Sequence, residues 1–299
     1  MRITNNNLSD TILRQIQNLG SQQAKLQSQV STGQRIFKPE DDPNAMGRVL
    51  NLESEQRQIT QYLSNADRAL ELSQASYSGL QQIKSVSDRA GEIGTLGAGS
   101  LSPEASKAYA SEVDQLIEQT LQFTNTKFRG DYIFAGTAVD QPPFNATRDP
   151  TTNQVTGVAF VGNAAQAPIQ LSENASIAPG TSNTTNLGLR DFLNNLVALR
   201  DALTNNNVNA VHTAQAGLLT GEDNLVSSLA EHGGIQTRIE ANQSQQKDRA
   251  QNLESLVSGE TDADLPTTIV KLNQTQTAYQ AALQSAANIM RISLLDYIK

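Results

Sequence analysis

Few side chains in this sequence could perform acid–base, nucleophilic or metal chemistry. His212 and His232 are the only histidines, and they lie too far apart along the chain to form a metal-binding pair on one helix turn. Cysteine is absent, which excludes disulfides, thiolate ligands and a cysteine nucleophile. No cluster offers a nucleophile, a base and a group that orients the base. The sequence therefore predicts a protein that is not an enzyme and that holds no metal or cofactor.

Two short patterns are similar to binding motifs. The glycines between Gly91 and Gly99 are spaced like a phosphate-binding loop, but no strand pattern precedes them and no Gly-Lys-Ser/Thr follows. We interpret them as the end of a helix. The tripeptide Arg129-Gly130-Asp131 is one that integrins recognise, and we interpret it as a turn at a helix end.

A third pattern, Asp41-Asp42-Pro43, predicts the start of a helix. An aspartate is a good N-cap because its carboxylate accepts hydrogen bonds from the free amides of the first turn. Proline suits the first helical position, where no amide hydrogen is needed. We therefore expect Asp41, Asp42 and Pro43 to cap and begin a long helix.

The strongest regularity is an apolar stripe at each end of the chain. Both stripes advance in alternating steps of three and four residues, which places their side chains along one side of a helix. Such a stripe needs a partner helix, so we expect the termini to pair with each other or with neighbouring copies. The predicted assembly residues are Ile12, Ile16, Leu19, Leu26 and Val30 near the N-terminus, and Ile269, Leu272, Tyr279, Leu283, Met290, Leu294 and Tyr297 near the C-terminus.

The composition fits long helices rather than a large globule. Hydrophobic residues make up 37% of the chain, aromatic residues make up 4%, and tryptophan is absent. The net charge of −8 and the lack of a basic run argue against nucleic-acid binding. No stretch is apolar enough for a membrane helix, and the first residues lack a signal-peptide pattern. By itself this predicts a cytoplasmic protein, unless export uses an uncleaved N-terminus.

The predicted elements are nested around one irregular region. A short helix from about Leu8, a long helix and a third helix to about Arg129 precede residues 131–186. There, prolines, glycines and short apolar runs predict a small β-rich insertion. A helix from Leu187, a second long helix over about residues 211–257 and a terminal helix follow. This mirror order predicts a mainly α fold, in which long helices form an antiparallel bundle and the terminal helices form a coiled coil.

Several local sequences resemble the flagellin family of bacterial flagellar proteins. Leu26 to Asn44, which reads LQSQVSTGQRIFKPEDDPN, is similar to a segment that flagellins and flagellar hook-associated proteins share. Residues 252–264 (NLESLVSGETDAD) and 267–289 (TTIVKLNQTQTAYQAALQSAANI) resemble their shared C-terminal region. The resemblance thus covers most of both helical halves.

Two further segments resemble the hook-associated members more than the flagellins. They are Gly130 to Thr137 (GDYIFAGT), with Pro142-Pro143-Phe144 after it, and the ending Ile292 to Ile298 (ISLLDYI). The resemblance implies a structural subunit that joins the flagellar hook to the flagellin filament. Flagellin itself, the bulk filament subunit, is the alternative. A secreted adhesin that binds a host ligand through the insertion is a third hypothesis, from a different class.

The resemblance also implies a division of the chain. The termini would be disordered in the monomer and would form a coiled coil around the central channel after assembly, while a helical bundle and an outer β domain would surround it. The implied boundaries are 1–35 with 265–299 for the terminal assembly domain, 36–130 with 187–264 for the bundle, and 131–186 for the outer domain.

Location and partners follow from the same resemblance. It implies an extracellular protein of the bacterial flagellum, exported through the flagellar type III apparatus without a cleaved signal. Its partners would be further copies in a ring, flagellin, an adjacent hook-associated junction protein and an export chaperone, with neither nucleic acid nor membrane insertion. The resemblance further implies a fixed bend at Asp41-Asp42-Pro43, between the terminal helix and the bundle.

Overall fold

The computed structural model describes the backbone of residues 2–99 and 101–297 and the side chains of residues 10–99 and 101–288. These residues are mainly helical, with short antiparallel strand pairs between the third and fourth helices. The elements are α1 (Arg2–Thr32), α2 (Pro43–Gly97), α3 (Pro103–Thr124), β1 (Lys127–Phe128), β2 (Asp131–Tyr132), β3 (Phe144–Arg148), β4 (Val155–Phe160), β5 (Ile169–Ser172), β6 (Ala175–Ile177), α4 (Asn183–Thr204), α5 (Val208–Thr261) and α6 (Leu265–Tyr297). The prediction of a mainly α fold with a small β-rich insertion is confirmed.

The chain divides into two compact units. The terminal unit combines Met1–Arg57 with Ala250–Lys299, and the central unit is Gln58–Arg249. The long helices α2 and α5 each contribute residues to both units. The division into three segments that the family resemblance implies stays a prediction.

Local capping decides where α4 begins. The Ser182 hydroxyl accepts a hydrogen bond from the Thr185 amide at 3.1 Å, so the helix begins at Asn183 and not at the predicted Leu187. Ser102 caps α3 in the same way. A hydroxyl cap of this kind contributes ~1 kcal/mol to helix stability.

The end of α3 differs from the prediction. The helix ends at Thr124 and not near Arg129, because the next side chain bonds elsewhere. The Asn125 amide nitrogen donates to the Phe144 carbonyl at 2.9 Å, and the Phe144 amide donates to Asn125 Oδ1 at 3.1 Å. These two bonds tie the helix end to β3. Phe128, predicted on the helix, therefore lies in β1.

The first helix also differs from the prediction. It begins at Arg2 and not near Leu8. The first residues include several asparagines, whose helix propensity is modest, but neither proline nor glycine interrupts them. A sequence without a breaker can extend a helix that is supported further along.

The core of the central unit lies where helices meet the β3–β4 hairpin. Phe134, Phe144 and Phe192 are among its largest fully buried side chains. Asn194 of α4 bonds the hairpin directly, since its side chain accepts from the Val158 amide at 2.9 Å and donates to the Val158 carbonyl at 3.0 Å. The hairpin thus packs on α4 through apolar side chains and through two hydrogen bonds.

One cation is buried in this unit. The Arg200 guanidinium is 4% exposed, and it donates to Asp114 at 2.9 Å, to the Val155 carbonyl at 2.7 Å and to Asp201 at 2.7 Å. These bonds connect α3, β4 and α4. Because removing one partner of a buried charge leaves the other without compensation, this arrangement fixes how the three elements meet.

Candidate assembly surface

In the terminal unit, α1 packs against α6. A methyl group added at Gly20 of α1 would lie 3.6 Å from Cε2 of Tyr279 in α6. The predicted α1 residues are half-buried or buried, and Leu26 is only 8% exposed. The half-buried members of this set are Ile12, Ile16, Leu19 and Val30. The first and last helices of the chain therefore pair with each other.

The buried side of α6 is offset from the predicted stripe. Its half-buried and buried residues are Thr268, Leu272, Thr275, Gln276, Tyr279, Ala282 and Ala286. Ile269 and Leu283 of the predicted stripe are instead 44% and 43% exposed. Because successive helix residues point about 100° apart, a one-residue offset moves a side chain from the buried side to its flank.

Three exposed aliphatic residues of α6 form what we call the flanking row: Leu265, Ile269 and Leu283. Their exposed fractions run from 40% to 44%. Leu13 of α1 is similarly exposed, at 45%. Aliphatic side chains grouped beside a helix pair in this way are typical of a surface that another helix covers. The side chains of the predicted residues Met290, Leu294 and Tyr297 lie outside those that the structure describes.

The Asp41-Asp42-Pro43 segment has capping geometry. Asp42 Oδ1 accepts from the Ala45 amide at 3.0 Å, and Pro43 is the first residue of α2. Asp41 accepts from the Lys25 ammonium at 2.6 Å and also from two backbone amides of the preceding loop. These hydrogen bonds, that of Lys25 foremost, lower the pKa of Asp41 to about 2. The segment thus joins the start of α2 to α1.

A second contact, which we call the connector pair, joins residues 33–35 to residues 261–263. The Arg35 amide donates to the Thr261 carbonyl at 2.6 Å, and the Ala263 amide donates to the Gly33 carbonyl at 2.7 Å. Gly33 adopts a φ of 75°, a conformation that glycine tolerates without strain and that ends α1. An antiparallel bridge therefore ties the loop after α1 to the loop before α6.

Charged side chains reinforce the connector pair. Arg48 donates two hydrogen bonds to the Glu260 carboxylate, at 2.9 and 2.8 Å, and Arg35 donates to the Glu260 carbonyl at 2.8 Å. The bonds from Arg48 lower the pKa of Glu260. Sequence analysis missed this contact. One signal was present, since Arg35 and Glu260 fall in two of the flagellin-like segments, but their pairing cannot be read from either segment alone.

The two histidines do not meet. His212 is exposed, whereas His232 is 2% exposed and its Nδ1 lies 3.2 Å from the Ser73 hydroxyl. Burial lowers the pKa of His232 to about 4. Within the part of the chain that the structure describes, no group of three His, Asp or Glu side chains could hold a metal ion.

The two motif-like patterns have structural roles. Gly91 and Gly94 lie inside α2, which ends at Gly97 as predicted. Arg129 and Gly130 form the two-residue turn between β1 and β2, with φ values of 53° and 100°. Positive φ at both positions is typical of the tight hairpin turn that suits the twist of the strands. The interpretation of Arg129-Gly130-Asp131 as a turn is confirmed, but the turn belongs to a β-hairpin and not to a helix end, because α3 ends at Thr124.

Comparison with known proteins gives matches along the whole chain. Residues 3–139 match the family model described as the bacterial flagellin N-terminal helical region. The chain is 26% identical to flagellar hook-associated protein 3 of Escherichia coli over 317 residues, which cover 100% of both proteins. It is also 26% identical to flagellar hook-associated protein 3 of Salmonella typhimurium, over 99% of both.

Solved structures share the fold. A structure described as a flagellar hook-associated protein of Vibrio parahaemolyticus matches with a TM-score of 0.66 and 19% identity, over 74% of this chain and 100% of that one. The crystal structure of Bacillus cereus FlgL matches with a TM-score of 0.59 and 17% identity, over 70% of this chain and 99% of that one.

The first 139 residues are thus similar to the helical N-terminal region of flagellins, and the fold is similar to that of flagellar hook-associated proteins. More narrowly, both relatives that match the whole chain are flagellar hook-associated protein 3 rather than flagellin. These are names of flagellar components and not of enzymes. Among the described helices, none is both long and apolar enough to cross a membrane.

Proposed function

We propose that this chain is a structural subunit that joins the flagellar hook to the flagellin filament through self-assembly of its terminal helices. The observation that carries this proposal is the flanking row on α6, beside the face that packs on α1. Similarity to hook-associated protein 3 along the whole chain supports the junction role. Some predicted assembly residues lie on the face where α1 and α6 pack together, and others lie in the flanking row. The first set would hold α1 to α6, and the second set would contact neighbouring copies.

Energetics favour assembly through these helices. Full burial of a Leu or Ile contributes ~1.5–3 kcal/mol, whereas ordering the backbone of one residue costs ~1–2 kcal/mol. Ile12, Ile16 and Leu19 are only half-buried, so the α1–α6 pair alone obtains a fraction of the available stabilisation. Neighbouring copies that cover the flanking row would supply the remainder. In this proposal Met290, Leu294 and Tyr297 extend the same interface.

The bend and the connector pair would orient the terminal helices. Asp41, Asp42 and Pro43 fix the start of α2, and the pair of residues 33–35 with 261–263 holds both loops next to the terminal helices. We propose that this arrangement sets the direction in which α1 and α6 leave the rest of the terminal unit. A defined direction is what a ring of identical subunits requires.

The proposed partners are further copies in a ring, flagellin, an adjacent hook-associated junction protein and an export chaperone. Export through the flagellar type III apparatus without a cleaved signal would deliver the chain to the flagellum. The terminal assembly domain, the bundle and the outer β domain would keep the boundaries that the family resemblance implies. Each proposed partner can be tested by reconstitution of this protein with that partner.

Flagellin is the second candidate because the family model that matches residues 3–139 is that of the flagellin N-terminal region. The names of the two full-length relatives do not favour it. The two functions differ in homopolymerisation, because flagellin grows long filaments alone and a junction protein does not. Electron microscopy of the purified protein, alone and then with flagellin and isolated hooks, separates them. Long filaments from the protein alone would refute the junction role.

A point variant tests the proposed interface. Leu283→Gln keeps helix propensity but makes the flanking row polar, so flagellin should no longer grow on hooks incubated with this variant. Leu219→Gln is the matched control, because Leu219 is an exposed leucine, at 57%, in the central unit. Circular dichroism should show both variants folded. Normal filament growth with Leu283→Gln would show that the flanking row is not part of the interface.

A further inference from the structure

The central unit contains a cleft that the proposed assembly does not use. Its cavity volume is about 420 Å³, within the range of small-molecule sites. The cleft opens between α2, the β1–β2 hairpin and the loops that precede β5 and α4. All its lining residues belong to the central unit, whereas the proposed assembly residues belong to the terminal unit.

The floor of the cleft is apolar. Leu72, Ile133 and Ile169 form the floor. Phe128 and Tyr132 line the cleft from the β1–β2 hairpin, whose register places their side chains on opposite faces. Ile133 is 6% exposed, so the floor is continuous with the packed interior. Buried apolar surface of this kind suits the hydrocarbon or aromatic body of a ligand.

Hydrogen bonds hold the loops of the cleft in place. Asn163 accepts from the Thr137 amide at 2.8 Å and donates to the Thr137 hydroxyl at 2.7 Å. Gln166 donates to the Gly180 carbonyl at 3.1 Å. Gly136, with a φ of 70°, brings its backbone so close to Asn163 that a methyl group there would clash with the Asn163 carbonyl oxygen. The cleft is therefore largely formed before any ligand arrives.

The rim of the cleft carries one unpaired guanidinium although the whole chain carries −8. Arg68 and Arg129 line it, and Asp131 is the only carboxylate among its lining residues. Arg129 pairs with Glu71 at 2.5 Å. Arg68 is exposed, and no carboxylate of the described residues lies within ion-pair distance of it. One guanidinium is thus available to an anion at the edge of an apolar cleft.

We propose that this cleft binds a small organic carboxylate with an aromatic body. Arg68 holds the carboxylate, because a guanidinium matches both carboxylate oxygens with a fork of donors. The aromatic body lies on the apolar floor that Leu72, Ile133 and Ile169 form. Asp131, the one carboxylate among the lining residues, disfavours a second negative charge, so a monocarboxylate fits better than a dicarboxylate. This binding does not depend on the assembly function.

The proposal is tested by titration of the full-length protein with 4-phenylbutyrate. Calorimetry and saturation-transfer NMR of the ligand measure the binding. We expect saturable binding at one site per chain. The neutral amide of the same acid should bind about tenfold more weakly, because a charge-assisted hydrogen bond is replaced by a neutral one. Equal binding of the acid and the amide would overturn the role of charge, and with it the proposal.

Two variants locate the site. Arg68→Gln should weaken binding of the acid about tenfold and leave binding of the amide unchanged. Arg57→Gln, on the exposed surface of the same helix, is the matched control and should leave both unchanged. Ala167→Phe places a ring in the cleft and should abolish binding of both compounds. No saturable binding to the parent protein, or full binding to Ala167→Phe or Arg68→Gln, overturns the proposal.

Discussion

Acidification should destabilise this protein in a pH window that one buried histidine sets. Burial lowers the pKa of His232 from its ordinary value of 6.5 to about 4. The unfolded chain therefore binds a proton between these values that the folded chain does not bind. Because the pKa is lower in the folded state, stability is fully present above pH 6.5 and is lost as the pH falls toward 4.

The size of this effect follows from the two values. The whole difference corresponds to about 3 kcal/mol, since one pH unit is worth ~1.36 kcal/mol. Between pH 7 and pH 5 the expected loss is about 2 kcal/mol. The lowered pKa of Asp41, about 2, acts in a different window, because its stabilisation is lost only as the pH falls from 3.8 toward 2.

Urea unfolding, followed by circular dichroism at fixed pH values from 7 to 5, measures this loss. His232→Gln should remove most of the pH dependence, because an amide can still bond Ser73 and cannot titrate. His212→Gln is the matched control, with an exposed histidine on the same helix. An unchanged slope in His232→Gln, or a flattened slope in His212→Gln, would refute the assignment of this window to His232.

Three further predictions concern other parts of the chain. Glu260→Gln weakens the charge-assisted bonds from its arginine partner, so amide hydrogen exchange in the connector pair should become faster; Glu254→Gln, an exposed control on α5, should leave it unchanged. Gly136→Ala should lower the free energy of unfolding by about 1–3 kcal/mol, because of its positive φ and the contact with a carbonyl oxygen. By contrast, Gly91→Ala, where no atom lies close to the added methyl group, should raise the free energy of unfolding by about 0.5–1 kcal/mol. If Gly136→Ala and Gly91→Ala shift the urea midpoint equally, this reasoning is contradicted. Deletion of residues 265–299 should leave a folded, soluble central unit that no longer joins hooks to filaments, and a truncated chain that still joins them in electron micrographs would contradict the role of α6.

Features that depend on neighbouring residues could be predicted from the sequence. The N-cap at Ser102 and the helix start at Pro43 follow from a few adjacent residues, and the structure has both. The apolar periodicity of α1 and α6 likewise predicted two helices that need partners. In each case a short-range rule, capping or helical repeat, decides the outcome.

Features that depend on residues far apart in the sequence could not be predicted. Asn125 ends α3 by bonding Phe144, and no local signal distinguishes this asparagine from the others. The offset that exposes Ile269 depends on which side of α6 packs against α1. A heptad pattern alone is compatible with two buried sides that differ by one residue. The connector pair could not be predicted from either loop alone, because backbone atoms of two loops that are distant in the sequence form it.

The pairing of α1 with α6 has a consequence for the order of folding. These are the first and last helices of the chain, so their contacts close a loop that contains nearly every residue. The closure entropy of such a loop must be overcome before the contacts can stabilise it, and contacts of large sequence separation form slowly. The central unit is one continuous segment, so its internal contacts do not require either terminus. A chain delivered with its N-terminus first would therefore hold α1 without its intramolecular partner until the last residues arrive, and during that interval α1 is free to meet another molecule.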